Sequence, residues 1–150
     1  MEVLIRNASS EDAEVVMNLL RQLWPDRDID EEKTTETFLD SLKRPDYYNF
    51  CAEVSGKVAA FCEGMFLNSL YNPGRICYLT TLIVDSRYRG CRIGSRMIEH
   101  LKQYSLEKDC VAIELYTALY RVDAHRFYER EGFVKRAFMY SQDIKRKEKI

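Results

Sequence analysis

Residues 82–95 read Leu82-Ile83-Val84-Asp85-Ser86-Arg87-Tyr88-Arg89-Gly90-Cys91-Arg92-Ile93-Gly94-Ser95. An apolar strand end runs into a short loop rich in glycine and arginine. A helix follows over about 93–107, with Ile93, Met97, Ile98 and Leu101 as its buried stripe. The first turn of a helix has backbone N–H groups without intrahelical acceptors and carries the positive end of the dipole. A strand, a glycine turn and a helix start therefore make an anion site, most often for phosphate. Gly90 and Gly94 remove side chains that would block close approach, and Arg87, Arg89, Arg92 and Arg96 add positive charge. By itself the segment also reads as an ordinary connection with solvated arginines. It lacks Gly-Lys-Ser/Thr and G-x-G-x-x-G and lies in mid-chain, which disfavours a Walker loop or a dinucleotide domain.

Working outward, Ile76–Val84 reads as a strand whose end is apolar on both faces, hence central. Before it, Tyr47–Val54, a Ser55-Gly56 turn and Lys57–Leu67 read as a hairpin. Residues 3–7 form a short strand, and Ser9 caps a helix ended by Pro25. A more polar helix covers about 31–43, ended by Pro45. After the loop helix, Cys110–Tyr116 alternates as a strand, a short helix spans about 121–130, and Gly132 terminates it. Phe133–Ile144 reads as a last strand and the tail from about 145 as frayed. The sum is one α/β domain with a mixed sheet over 1–150.

The chain has 150 residues, a formal net charge of −1 and 46% hydrophobic residues, as expected of a single globular domain. The near-neutral balance argues against a nucleic-acid partner. No run of apolar residues is long enough to span a membrane, and no secretory leader is evident. Five cysteines, Cys51, Cys62, Cys77, Cys91 and Cys110, occur without a C-x-x-C pair, and only two histidines are present. Reduced thiols in a cytoplasmic protein are expected, with no metal site.

Two motifs together resemble the GNAT superfamily of N-acetyltransferases. Arg89-Gly90-Cys91-Arg92-Ile93-Gly94 is similar to its acetyl-CoA pyrophosphate loop, Gln/Arg-x-x-Gly-x-Gly/Ala. Ala124-His125-Arg126-Phe127-Tyr128-Glu129-Arg130-Glu131-Gly132-Phe133 resembles its A-x-x-F-Y-x-x-x-G-F signature. Spacing and element order, β-α-α-β-β-β-α-β-α-β, match along the whole chain. The resemblance implies a mixed, mostly antiparallel sheet of about six or seven strands flanked by about four helices. Two positions depart from the pattern: Arg92 stands at the first loop glycine, and Arg121 where an asparagine often helps hold the pantetheine arm.

The resemblance implies acetyl transfer to a primary amine of a small molecule or peptide, by direct attack in a ternary complex. Acetyl-CoA would contact Leu82, Ile83, Val84, Arg89, Gly90, Cys91, Arg92, Ile93, Gly94, Ser95, Arg121, Ala124 and Phe127. A strand amide near Leu82 to Val84 would hold the oxyanion, and Tyr128 matches the general acid. Thr80 and Thr81 occupy the central strand where some members place a glutamate. Glu53, Glu63 and Glu114 lie on neighbouring strands, where each also reads as a solvated strand residue; Glu63, inside an apolar run, is the first choice of base. His125 reads as a surface or helix-capping residue rather than a catalytic one, and His100 as solvent-facing. The acidic stretch Asp26, Asp28, Asp30, Glu31 and Glu32 suits a cationic acceptor or is a solvated loop. The aromatic run Phe133–Tyr140 allows a homodimer, as is common in the family. A second reading is a non-catalytic acyl-CoA sensor or interaction module of the same fold.

Overall fold

The computed structural model describes residues 1–145. It divides into two units, Met1–Leu115 and Tyr116–Ile150. In the first unit the elements are β1 (Val3–Asn7), a 3-10 turn (Ser10–Asp12), α1 (Ala13–Leu23), α2 (Glu31–Ser41), β2 (Tyr47–Val54), β3 (Lys57–Ser69), β4 (Gly74–Val84), a second 3-10 turn (Ser86–Tyr88), α3 (Ile93–Glu107) and β5 (Cys110–Leu115). The sheet order is β1-β2-β3-β4-β5. Neighbours are antiparallel through β4, and β5 runs parallel to β4. A parallel pair requires a long crossover, and α3 is that crossover.

Local chemistry explains the boundaries. Asp12 accepts from the Ser9 amide at 2.7 Å and opens the first helical stretch. Arg6 binds Asp12 at 2.8 Å and also Glu53, tying β1 and β2 to the start of α1. The guanidinium holds the Asp12 carboxyl below its usual range. Asp30 caps α2 by accepting from the Lys33 amide at 3.1 Å. Ser55 and Gly56 both take positive φ, 52° and 78°, as a tight hairpin turn demands.

Strand alternation divides the core into two layers. Cys51, Phe61 and Ile83 face one side, where Val16, Met17, Leu20 and Leu23 of α1 and Phe38 of α2 cover them. Phe50 and Tyr48 face the other, packing on Tyr104 of α3 at ring distances of 5.1 and 5.9 Å. His100 belongs to this second layer. Its ring stands edge-on to Phe50 at 4.5 Å, so the solvent-facing expectation is corrected: one helical turn before Tyr104, the ring is drawn under α3 by the same aromatic cluster.

In the second unit, α4 spans Val122–Arg130. Gly132, at φ +94°, lets the Phe133 amide return to the Tyr128 carbonyl at 2.9 Å, the glycine stop expected. The last strand does not form. Phe133–Ile144 joins no ladder, and the sheet has five strands among the described residues rather than six or seven. Its pattern explains this. Lys135-Arg136 and then Ala137–Tyr140 break the alternation that would define a buried face, and Val134, Phe138 and Tyr140 stay 85%, 70% and 90% exposed. Without a buried face, the segment gains too little on pairing to offset the entropy of extension. Beyond Lys145, the expected frayed tail lies outside the described residues.

Candidate active site

The centre of the site is a fault in the β3–β4 ladder. Glu63 faces Thr81, but the next β3 residue, Gly64, faces Leu79, so Thr80 is the extra residue of a β-bulge. The β4–β5 pairing ends almost at the same level, at Leu79 and Leu115. Beyond it, among the described residues, Thr80–Val84 have only β3 as a neighbouring strand. Alternate residues of an antiparallel strand turn their N–H groups to opposite sides. Amides within Leu82–Val84 therefore face away from β3, on the side where β5 has ended.

At the end of β4 the chain enters the loop through buried Asp85. Its amide donates to the Ala59 carbonyl at 2.8 Å. Its carboxylate accepts from the Arg87 amide at 3.0 Å and from the Arg87 guanidinium at 2.9 Å, and that guanidinium lowers its pKa. The Ser86 amide donates to Gln22 Oε1 of α1 at 2.9 Å, and Arg89 Nε to the Val84 carbonyl at 3.4 Å. Arg87 and Arg89 thus shape the loop itself. Gly90 (φ +80°) and Arg92 (φ +63°) both turn left-handed. Arg92 is the N-cap of α3 and supplies no side-chain cap, so the amides of Ile93 and Gly94 have no acceptor within the helix. The guanidiniums of Arg92 and Arg96 are exposed beside this end. Cys91 is exposed too, its Sγ 3.9 Å from the Arg89 carbonyl.

Glu63 sits under α2 in a polar cluster that the sequence reading missed. Asn49 of β2 and Thr81 of β4 flank it directly in the sheet, and Ser41 lies above. Asn49, Thr81 and Ser41 are all buried. The Ser41 hydroxyl donates to the Phe38 carbonyl at 2.7 Å and lies 3.4 Å from Asn49 Oδ1. Burial raises the Glu63 pKa, and its hydrogen bond with Ser41 partly opposes that. The only signal in the sequence was a glutamate inside an apolar run. Of the other strand glutamates, Glu53 is bound by Arg6, and Glu114 lies opposite Tyr78 in the parallel ladder.

In the second unit, Arg121 precedes α4, and Ala124, Phe127 and Tyr128 are half-buried on it. The Tyr128 ring packs edge-on against Phe127 at 5.2 Å and Phe133 at 5.7 Å. His125 Nε2 lies 2.8 Å from the Ala118 carbonyl, tying the preceding loop to α4, whose N-terminus has no side-chain cap. In the acidic stretch, Asp30 serves as a cap and Glu31 pairs with Arg21 at 3.0 Å, while Asp26 and Asp28 are exposed. Among the described residues no cluster of His, Cys, Asp and Glu is arranged to hold a metal, and no helix is long and apolar enough to cross a membrane.

The model of the acetyltransferase (GNAT) family matches residues 13–133. The chain belongs to that family and is an acyltransferase. It is 27% identical over 140 residues to an aminoalkylphosphonate N-acetyltransferase of Salmonella typhimurium, covering 93% of this chain and 90% of the relative. It is also 27% identical over 130 residues to a glucosamine 6-phosphate N-acetyltransferase of Arabidopsis thaliana, covering 84% and 85%. Among solved structures, an aminoglycoside N-acetyltransferase, AAC(6')-Iy, in complex with CoA superposes with a TM-score of 0.81 at 17% identity, covering 94% of this chain and 95% of that one.

Proposed function

We propose that the protein moves the acetyl group of acetyl-CoA to a primary amine of a small molecule by direct attack in a ternary complex. The observation that carries this reading is the join of β4 to α3. One continuous segment offers strand amides freed from β5 beyond Leu79 and, ten residues on, an uncapped helix start with two left-handed residues before it. The helix start and loop, Arg89 to Ser95, would hold the pyrophosphate, and the edge of Leu82–Val84 the pantetheine and thioester. The amine nitrogen attacks the thioester carbon. An amide of that edge takes the negative oxygen, the C–S bond breaks, and Tyr128 protonates the departing thiolate. Glu63, with its raised pKa, accepts the proton the amine loses.

Several observations support the finer points. The small-molecule amines in the relatives' names favour such an acceptor over a peptide. The family match spans both units, which favours one functional domain. Five unpaired thiols, three of them buried, suit the reducing cytoplasm. The exposed apolar residues of 134–144 suit a homodimer.

The test is thermal unfolding with acetyl-CoA, ATP or NAD, followed by thiol release with a panel of aminoalkylphosphonates, amino sugars and polyamines. Acetyl-CoA at about 100 times its Kd adds about 2.7 kcal/mol, a Tm rise on the order of 5–10 °C. A rise with acetyl-CoA alone and thiol release with at least one amine are expected. Equal shifts with ATP, or binding without release across the panel, would overturn the reading in favour of a nucleotide site or an acyl-CoA sensor.

A further inference from the structure

The β4 bulge is latched by two side-chain hydroxyls. Tyr48 Oη on β2 donates to the Tyr78 carbonyl on β4 at 3.0 Å. Thr80 Oγ1, on the bulged residue itself, donates to the Glu63 carbonyl at 2.9 Å. To reach β4, the Tyr48 side chain passes over β3 at Gly64, the residue directly opposite it. Any Cβ there would overlap the Tyr48 ring end and the Tyr78 carbonyl together. The ring is only 3% exposed and is packed by Phe50, Phe66 and Tyr104 at 5.6–5.9 Å, so the hydroxyl is aimed by its surroundings. Its acceptor belongs to one of the last residue pairs that hold β4 to β5.

A bulge bends its strand and sharpens the local twist. A one-residue slip would turn every following residue of β4 to the opposite face. The two hydroxyls bracket the fault: one binds the carbonyl two residues before Thr80, the other binds across to the residue paired with Thr81. We infer that Tyr48 and Thr80 are positioning residues for acyl transfer, their hydroxyls fixing the bulge that parts β4 from β5 and aims the next β4 amides at the thioester carbonyl. This rests on the acetyl-transfer reading above. Neither hydroxyl touches substrate; both act through the β4 backbone.

Tyr48→Phe deletes one oxygen, Thr80→Val deletes the other, and Thr80→Ser keeps the hydroxyl as the conservative control. Each is followed by kcat and KM for acetyl-CoA, by the Kd of CoA, and by amide hydrogen exchange along β4 without ligand. Tyr48→Phe and Thr80→Val are expected to lower kcat about tenfold, a misaimed rather than a deleted oxyanion donor. The Kd of CoA stays within about threefold, because the 85–95 loop is untouched, and Thr80→Ser retains the parental kcat. Exchange quickens over residues 78–82 and is unchanged in β1. An unchanged kcat, or equal losses in kcat and CoA binding, would overturn the inference and leave Tyr48 a packing residue. If the parent protein releases no thiol with any amine, the acetyl-transfer reading fails, and the positioning role with it. The exchange data then still decide whether the latch exists: unchanged exchange in Tyr48→Phe would exclude that as well.

Discussion

At the scale of single residues, Arg92 shows what a motif comparison can and cannot carry. The sequence places an arginine at a family glycine. The structure shows that the arginine takes the glycine's conformation, at φ +63°, which costs a side-chain-bearing residue about 1–3 kcal/mol. Glycine removes that strain but gives the unfolded chain more freedom. Arg92→Gly is therefore expected to stabilise the protein by about 0.5–1 kcal/mol, a Tm gain on the order of 1–4 °C. It should also weaken CoA binding at low salt, because one exposed guanidinium beside the helix end is lost, and the difference should shrink as salt screens it. Thermal unfolding and CoA titrations at two ionic strengths check both halves. A lower Tm would mean that Arg92 is held by contacts that outweigh its strain.

At the scale of elements, nearly every boundary in the first unit follows from local chemistry. The α3 range expected from spacing, about 93–107, is the one observed, because a buried stripe and a glycine loop are both written locally. The bulge was not legible. It is a relation between Glu63 and Thr81 on one side and Gly64 and Leu79 on the other, and no single segment records it. Gly64 has its own trace in the sequence only as a glycine inside a strand, which often marks a bulge or close backbone approach. Gly64→Ala is expected to cost about 3 kcal/mol or more, since the added Cβ meets the Tyr48 ring and the Tyr78 backbone at once. Denaturant unfolding reads this directly. A loss under about 1 kcal/mol would show that β3 can shift aside.

At the scale of the whole molecule, His100 and a few buried or half-buried carboxylates set a pH profile. His100 lies against Phe50 with no hydrogen-bond partner at Nε2 among the described residues, and burial lowers its pKa below the ordinary 6.5. The folded state prefers the neutral ring, so the unfolded state binds the proton more readily. Stability present above pH about 6.5 is lost as pH falls from there through the folded pKa. Asp12 and Asp85, whose pKa values are lowered by Arg6 and Arg87, add a later loss below the ordinary carboxylate pKa of 3.8. Glu63 works in the opposite direction: its raised pKa favours the folded state at lower pH. The expected Tm profile falls in two stages on acidification, and His100→Phe removes the first. An unchanged slope between pH 7 and 5 in that variant would show that His100 is not its source.

The family and its two motifs are legible in the order of residues alone. The helices, three of the five strands to within one residue and the other two to within two, and the glycine stop after α4 are legible there as well. These are recorded within a few turns of chain, in periodicity, caps and turn residues. The rest emerges only from contacts between distant segments. These set the five-strand sheet, the inward turn of His100, the Glu63 cluster with Ser41 and Asn49, and the latch between Tyr48 and Tyr78, 30 residues apart in sequence. The physical reason is that strand register and buried polar partnership are pairwise properties of distant segments. Each is chosen by what the other strand offers, and neither segment alone contains the choice.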